Sequence, residues 1–263
     1  MPLLLIAMGL LGLAIGSFLN VVIHRVPMLL SLSHPASRCP ACGHQIRHRH
    51  NVPVLGWLVL RGRCADCRSP ISARYPAVEL LTAALFVTVT VRLLQLDLPA
   101  ALPAFLWFVA AGIALALIDL DVGRLPNVIV LPAYPILAVL LAAAALVGHD
   151  PQALLRAAIG GSVSYALYYL TALAFPGGMG FGDVKLAGLV GGMLAFVSYP
   201  VLLVGVGAAF LLGATTGIVA MLSGRATRRS AVPFGPFMVS GALLSIFVGG
   251  PIAHLYTTAL MPS

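Results

Sequence analysis

Two sets of residues in this 263-residue chain could do chemistry: its four cysteines and some of its seven acidic side chains. The cysteines form two Cys-x2-Cys pairs, Cys39/Cys42 in CPACGHQ and Cys64/Cys67 in CADCRSP. A two-residue spacer lets both sulfurs of a pair face one ion, and two pairs complete a tetrahedral S4 set. Four thiolates favour zinc over harder cations, and four protein ligands make such a site structural. The gap between the pairs is slightly long for the pattern, and a connecting β-ribbon would absorb it. Disulfides and a redox-active Cys-x-x-Cys are the competing readings. A reducing cytosol disfavours the first, and duplication of the pair suits a metal better than the second. His24, His34, His44, His48 and His50 share this segment and read as solvated surface.

Among the acids, Asp66, Asp97 and Asp150 read as solvated loop residues. Glu79, Asp119, Asp121 and Asp183 instead lie at the ends of long apolar runs. Carboxylates there are costly and tend to be functional. Asp119 closes one such run in ALIDLDVGRLPN, and Asp183 opens another in GGMGFGDVKLAG. On a helix Asp121 points about 200° away from Asp119; spacing alone does not choose between them. Two carboxylates sharing one proton would suit aspartic-protease chemistry, one acting as base on water and the other as acid on the scissile carbonyl. Gly180 and Gly182 would leave room for an extended peptide backbone. Lys185 has two readings, a substrate contact beside this loop or a side chain reaching for the membrane surface. Simple helix capping by Asp183, or a proton relay in a transporter, are alternatives on the same residues. The glycine-rich run lacks the Gly-Lys-Ser/Thr ending of a nucleotide loop.

Composition sets the elements that must position these groups. Sixty per cent of the residues are hydrophobic and 8% charged, against about 25% charged in a soluble domain. Continuous apolar runs at 3–23, 76–95, 101–120, 128–147, 157–175, 184–199, 201–222 and 235–255 approach the ~20 residues a crossing helix needs. The expected fold is an all-α polytopic membrane protein of about eight transmembrane helices with a small cytoplasmic zinc-ribbon-like insertion. The expected division is a first span at 1–23, a zinc-binding segment at 24–75 and a seven-helix membrane domain at 76–263. The first run lacks a basic n-region and reads as a retained span. Thirteen of the fifteen Lys and Arg residues, including Arg61, Arg63, Arg225, Arg228 and Arg229, fall in connections on one side. That is the positive-inside pattern, so the net charge of +8 reflects topology and not nucleic-acid binding. It places 24–75 in the cytoplasm and both termini outside.

Six segments in one order, GSFLNVVIHRVP, the two cysteine pairs, NVPVLGWLVLRGRC, ISARYPAVELLT, DLDVGRLPN and GMGFGDVKLAG, resemble the type IV prepilin peptidases. These are bifunctional leader peptidase/N-methyltransferases of the GxGD aspartic protease class. The resemblance covers most of 16–188; the last three spans carry little of it. It implies Asp119, seven residues before Pro126 of the Leu-Pro motif, and Asp183 of Gly180-Phe181-Gly182-Asp183 as the catalytic pair. Asn127 stands where the family often has Asp. The resemblance further implies cleavage of prepilin and type II pseudopilin leaders between Gly and Phe at the cytoplasmic face of the bacterial inner membrane. Methylation of the new amine by S-adenosylmethionine would follow. No soluble-type loop for that donor is legible; Glu79, after SARYP, is the carboxylate expected near the methyl-transfer site. On helix-end grounds Asp183 is expected to rest as the carboxylate and Asp119 as the protonated acid. A proton-coupled transporter or a zinc-bearing assembly factor are the rival functions.

Overall fold

The computed structural model describes residues 1–175, 178–224 and 233–260, with side chains up to 252. Arg225, Arg228 and Arg229 of the basic side, and Gly177 of the glycine-rich run, lie outside the described residues. The helices are α1 (Pro2–Arg25), the short α2 (Leu55–Val59), α3 (Arg74–Gln95), α4 (Leu102–Val122), α5 (Asn127–Val147), α6 (Pro151–Ala174), α7 (Phe181–Val197), α8 (Tyr199–Leu222) and α9 (Gly235–Leu260). No strand occurs among the described residues. In hydrocarbon, backbone groups must be satisfied within the segment, so continuous apolar runs become helices.

Each of the eight apolar runs is one long helix, and seven are long and apolar enough to cross a membrane. The exception is α7. It has 17 residues, about 25 Å of helix, and twelve of them are buried. It is an interior helix, so it has no need to match a bilayer. It packs on α6 through small residues: a Cβ on Gly191 would collide with Ser164 and the Gly160 carbonyl. Helix starts follow local chemistry. The Asp150 carboxylate accepts from Ala153 N–H at 3.1 Å, and Pro151 takes the first position. Hence α6 begins at Pro151 and not at 157. Arg156 is therefore helical, and donates to Asp150 at 3.0 Å and to the Phe196 carbonyl at 3.3 Å. Asp150 is a cap and an ion-pair partner rather than a merely solvated loop residue, and the arginine holds its carboxyl below the usual range.

The chain divides into two compact units, Met1–Leu94 and Gln95–Ser263. In the first, α1 lies against α3, with Gly16 facing Glu79 and Thr82. Asn20 Nδ2 donates to the Tyr75 carbonyl at 3.2 Å, tying the end of α1 to the start of α3. The cysteine-rich segment between them is not a β-ribbon. Its two knuckles close with single bridges, Arg38 to Gln45 and Arg63 to Pro70. A 3-10 turn and α2 fill the interval between them. In the second unit, α4 ends at Gly123, whose left-handed backbone (φ 63) returns its amide to the Asp119 carbonyl at 2.8 Å.

Candidate active site and metal centre

In the second unit, Asp119 sits in the last turn of α4 and Asp183 in the first turn of α7. Only 4% and 8% of their surface is exposed, whereas Asp121 is exposed. The 200° rotation between Asp119 and Asp121 thus decides which of the two enters the interior. Asp119 and Asp183 line one cleft of ≈ 340 Å³, together with Gly180, Gly182, Asn127 and Lys185.

Each carboxylate has one oxygen fixed by a glycine amide. Gly180 N–H donates to Asp183 Oδ2 at 3.0 Å, and Asp183 N–H returns a bond to the Gly180 carbonyl at 3.0 Å. The capping geometry and the placement in the cleft therefore coexist in Asp183. Gly235 N–H donates to Asp119 Oδ2 at 3.0 Å. Gly235 is the first residue of α9, so Asp119 meets a helix N-terminus as well as the C-terminus of its own helix. The asymmetry expected from helix ends is correspondingly softened.

The glycines are sterically fixed. A Cβ on Gly182 would stand 2.9 Å from Leu125 Cβ, and one on Gly235 would stand 2.9 Å from Asp119 Oδ2 and 3.3 Å from Leu125 Cδ2. Leu125 of the Leu-Pro motif is thus wedged between the two glycines that flank the carboxylates. Gly235 and Leu125 escaped sequence reasoning. The signal for Gly235 was the Pro233-Phe234-Gly235-Pro236 run after the last basic connection, on the side where both aspartates were expected. Lys185 Nζ donates to Asn127 Oδ1 at 2.9 Å and lies 4.9 Å from the Phe181 ring centroid. Its carbonyl accepts from Tyr134 Oη at 2.6 Å. Lys185 is held to the start of α5 among the residues that line the cleft, by an exposed hydrogen bond that fits both a substrate contact and a side chain reaching for the surface.

In the first unit, Cys39, Cys42, Cys64 and Cys67 bring their sulfurs within 4.8 Å of one another. Cys39 and Cys67 are 3.8 Å apart and Cys42 and Cys64 4.0 Å; all four are free thiols. Metal–sulfur bonds of about 2.3 Å in a tetrahedron require sulfur separations of ~3.8 Å, so the cluster fits a tetrahedral ion and not disulfides. The Ser69 hydroxyl lies 3.5 Å from the Cys39 sulfur and 3.1 Å from that of Cys67. It pulls the Cys39 thiol down to about 6, while burial and the neighbouring sulfurs push the Cys42 thiol up to about 12. Arg47 pairs with Asp66 at 3.2 Å, joining the two knuckles. None of the five histidines joins the cluster.

Glu79, also in the first unit, is 7% exposed. Its Oε2 accepts from Val54 N–H at 2.7 Å. Glu79 is the sixth residue of α3, which begins at Arg74, and so lies beyond its first turn.

Comparison with known proteins gives two adjoining family matches. Residues 10–93 match the bacterial peptidase A24 N-terminal domain and residues 104–221 match the type IV leader peptidase family. The chain is 36% identical over 275 residues to a prepilin leader peptidase/N-methyltransferase of Burkholderia pseudomallei (strain 1026b), covering 92% of this chain and 84% of the relative. A protein of the same name from Aeromonas hydrophila is 36% identical over 276 residues, covering 95% and 92%. One from Dichelobacter nodosus is 34% identical over 283 residues, covering 97% and 95%. No solved structure matches the chain.

Proposed function

The chain belongs to the type IV leader peptidase family, and from that premise we propose that Asp119 and Asp183 are its catalytic pair. The protein is a multi-pass inner-membrane enzyme that cleaves the leader from prepilins and N-methylates the product. The rival transporter and assembly-factor readings are not favoured by relatives named for leader cleavage and methylation. The observation that carries the assignment is the convergence of two buried carboxylates on one cleft.

In the proposed reaction the pair shares one proton. One carboxylate takes a proton from water as its oxygen bonds to the scissile carbonyl carbon. The other gives its proton to the carbonyl oxygen. The tetrahedral diol then collapses: the C–N bond breaks, the leaving nitrogen gains a proton from the pair, and the shared proton is restored. The pair titrates as a unit. Gly180 and Gly235 hold the carboxylates through their amides, and Lys185 and Gly182 border the substrate backbone. Substitution Gly235→Ala forces Asp119 aside. A displacement near 1 Å costs about 10²-fold, so kcat is expected to fall by about that factor with KM little changed. Steady-state cleavage of a synthetic prepilin measures both.

The four cysteines are proposed to hold a structural zinc ion, which would supply cross-linking and no chemistry. The methyl donor is proposed to be S-adenosylmethionine, with Glu79 at its site. Residues 1–23, 24–75 and 76–263 would form first span, zinc-binding segment and protease domain. The charge distribution supports a cytoplasmic 24–75 and dyad, with both termini outside. Glu79→Gln retains an oxygen for Val54 N–H but loses the charge. A purely structural Glu79 would tolerate it. We expect cleavage to stay normal and methylation of the product to drop about tenfold or more; intact-mass analysis reads both, and normal methylation would remove Glu79 from the site.

A further inference from the structure

We propose that α2, with the turn that follows α1, is an interfacial footing that rests in the headgroup layer of the membrane. Leu55, Leu58 and Val59 would enter the lipid, and Arg61 and Arg63 would meet anionic phosphates. Leu55, Leu58 and Val59 share one helix face and are 59%, 55% and 75% exposed. The opposite face is closed, with Gly56 against the His50 carbonyl. Trp57 is pinned by its indole N–H, which donates to the Ile71 carbonyl at 3.1 Å.

Holding this face outward is costly. Val54 before α2 has φ 59 and ψ −50, the centre of a γ-turn closed by Leu55 N–H on the Pro53 carbonyl, and Arg61 after it has φ 52; positive φ is disfavoured in residues with a side chain. The bond from Val54 N–H to Glu79 helps to hold the first of them. That bond also sets the depth. Glu79 lies near the start of α3, a helix long and apolar enough to cross a membrane. At 2.7 Å from it, the start of α2 stands at the hydrocarbon edge. The neighbouring span passes this level at Gly16, which faces Glu79, and runs nine residues further to Arg25, about 13 Å of helix. Just beyond its last residue, Arg25, come Met28, Leu29 and Leu30, all exposed and Leu29 at 93%. Two apolar patches therefore crown one end of one helix pair.

The chemistry selects lipid over a protein. Three aliphatic side chains beside exposed arginines match the pattern of interfacial segments, which combine apolar burial with attraction to anionic headgroups. A patch this small falls far short of the ~800 Å² per partner of a stable protein interface. The inference rests on the membrane spans of the first unit and not on the aspartate pair.

Trp57 and Trp107 are the only tryptophans, so Trp107→Phe makes Trp57 a single reporter. The full chain is reconstituted in phosphatidylcholine vesicles, with or without phosphatidylglycerol, carrying lipids spin-labelled near the headgroup or at the chain end. We expect quenching from the shallow label to exceed that from the deep one by about twofold or more, and to strengthen with phosphatidylglycerol. Arg61→Gln/Arg63→Gln should abolish the phosphatidylglycerol effect. Leu58→Asp/Val59→Asp should abolish shallow quenching while cleavage in detergent stays normal, which certifies the fold. Equal quenching by both labels, quenching only by aqueous iodide, or shielding of Trp57 only on addition of a prepilin would overturn the footing.

Discussion

Asp119→Asn and Asp183→Asn should each lower leader cleavage by about 10³-fold or more, the range lost when a general acid–base group is removed from a unit that acts together. Asparagine keeps the shape and the oxygen that accepts from Gly235 or Gly180, so the glycine contacts survive. What disappears is the shared proton. KM should change little, because the substitution keeps the size and shape of the cleft lining and, on the proposed reading, Gly182 and Lys185 carry the contact with the substrate backbone. The double variant should be no worse than either single one. The control is Asp121→Asn, two residues along the same helix and exposed, which should cleave at close to the normal rate. Incubation with a synthetic prepilin in lipid, followed by mass spectrometry, measures cleavage and methylation together. Full cleavage by either single variant would remove the pair from the mechanism.

Zinc should co-purify at about one ion per chain, the stoichiometry of a closed four-thiolate site. Cys64→Ser should lose it. The effect on the first unit is expected to be large, because structural zinc contributes on the order of 10 kcal/mol or more to small metal-bound segments. That segment has few other means of order: its knuckles close with two isolated bridges, and most of its surface is exposed. Loss of the ion should expose all four thiols to alkylation and raise KM for prepilin more than it lowers kcat, since the carboxylates belong to the other unit. Metal analysis that finds no zinc in the intact enzyme would overturn the assignment.

The Lys185–Asn127 contact bears on the departure of this chain from its family pattern. With asparagine at 127 the lysine is held by a neutral oxygen and an aromatic face. The cleft that holds the two carboxylates therefore also holds a cation with a neutral partner, where an aspartate would have offset its charge.

The sequence by itself determined the helices, the cysteine cluster and the choice of family. Continuous apolar runs leave one solution in hydrocarbon, Cys-x2-Cys spacing carries its geometry locally, and six short motifs in order are specific. It also placed Asp119 and Asp183 at helix ends, because the carboxylate stands beside an unbroken apolar run in each case. What only the tertiary structure decided is what each carboxylate touches. Gly235 lies 116 residues from Asp119, outside the six family motifs, and its amide reaches the carboxylate only because α9 starts there. The buried role of α7 was likewise illegible, since an interior helix and a lipid-facing one of that composition read alike. The wedge of Leu125 between Gly182 and Gly235 arises from packing among three segments distant in the chain. Spacing along a chain reports neighbours within a turn or a knuckle; contacts between distant segments depend on how the helices pack, which no local pattern encodes.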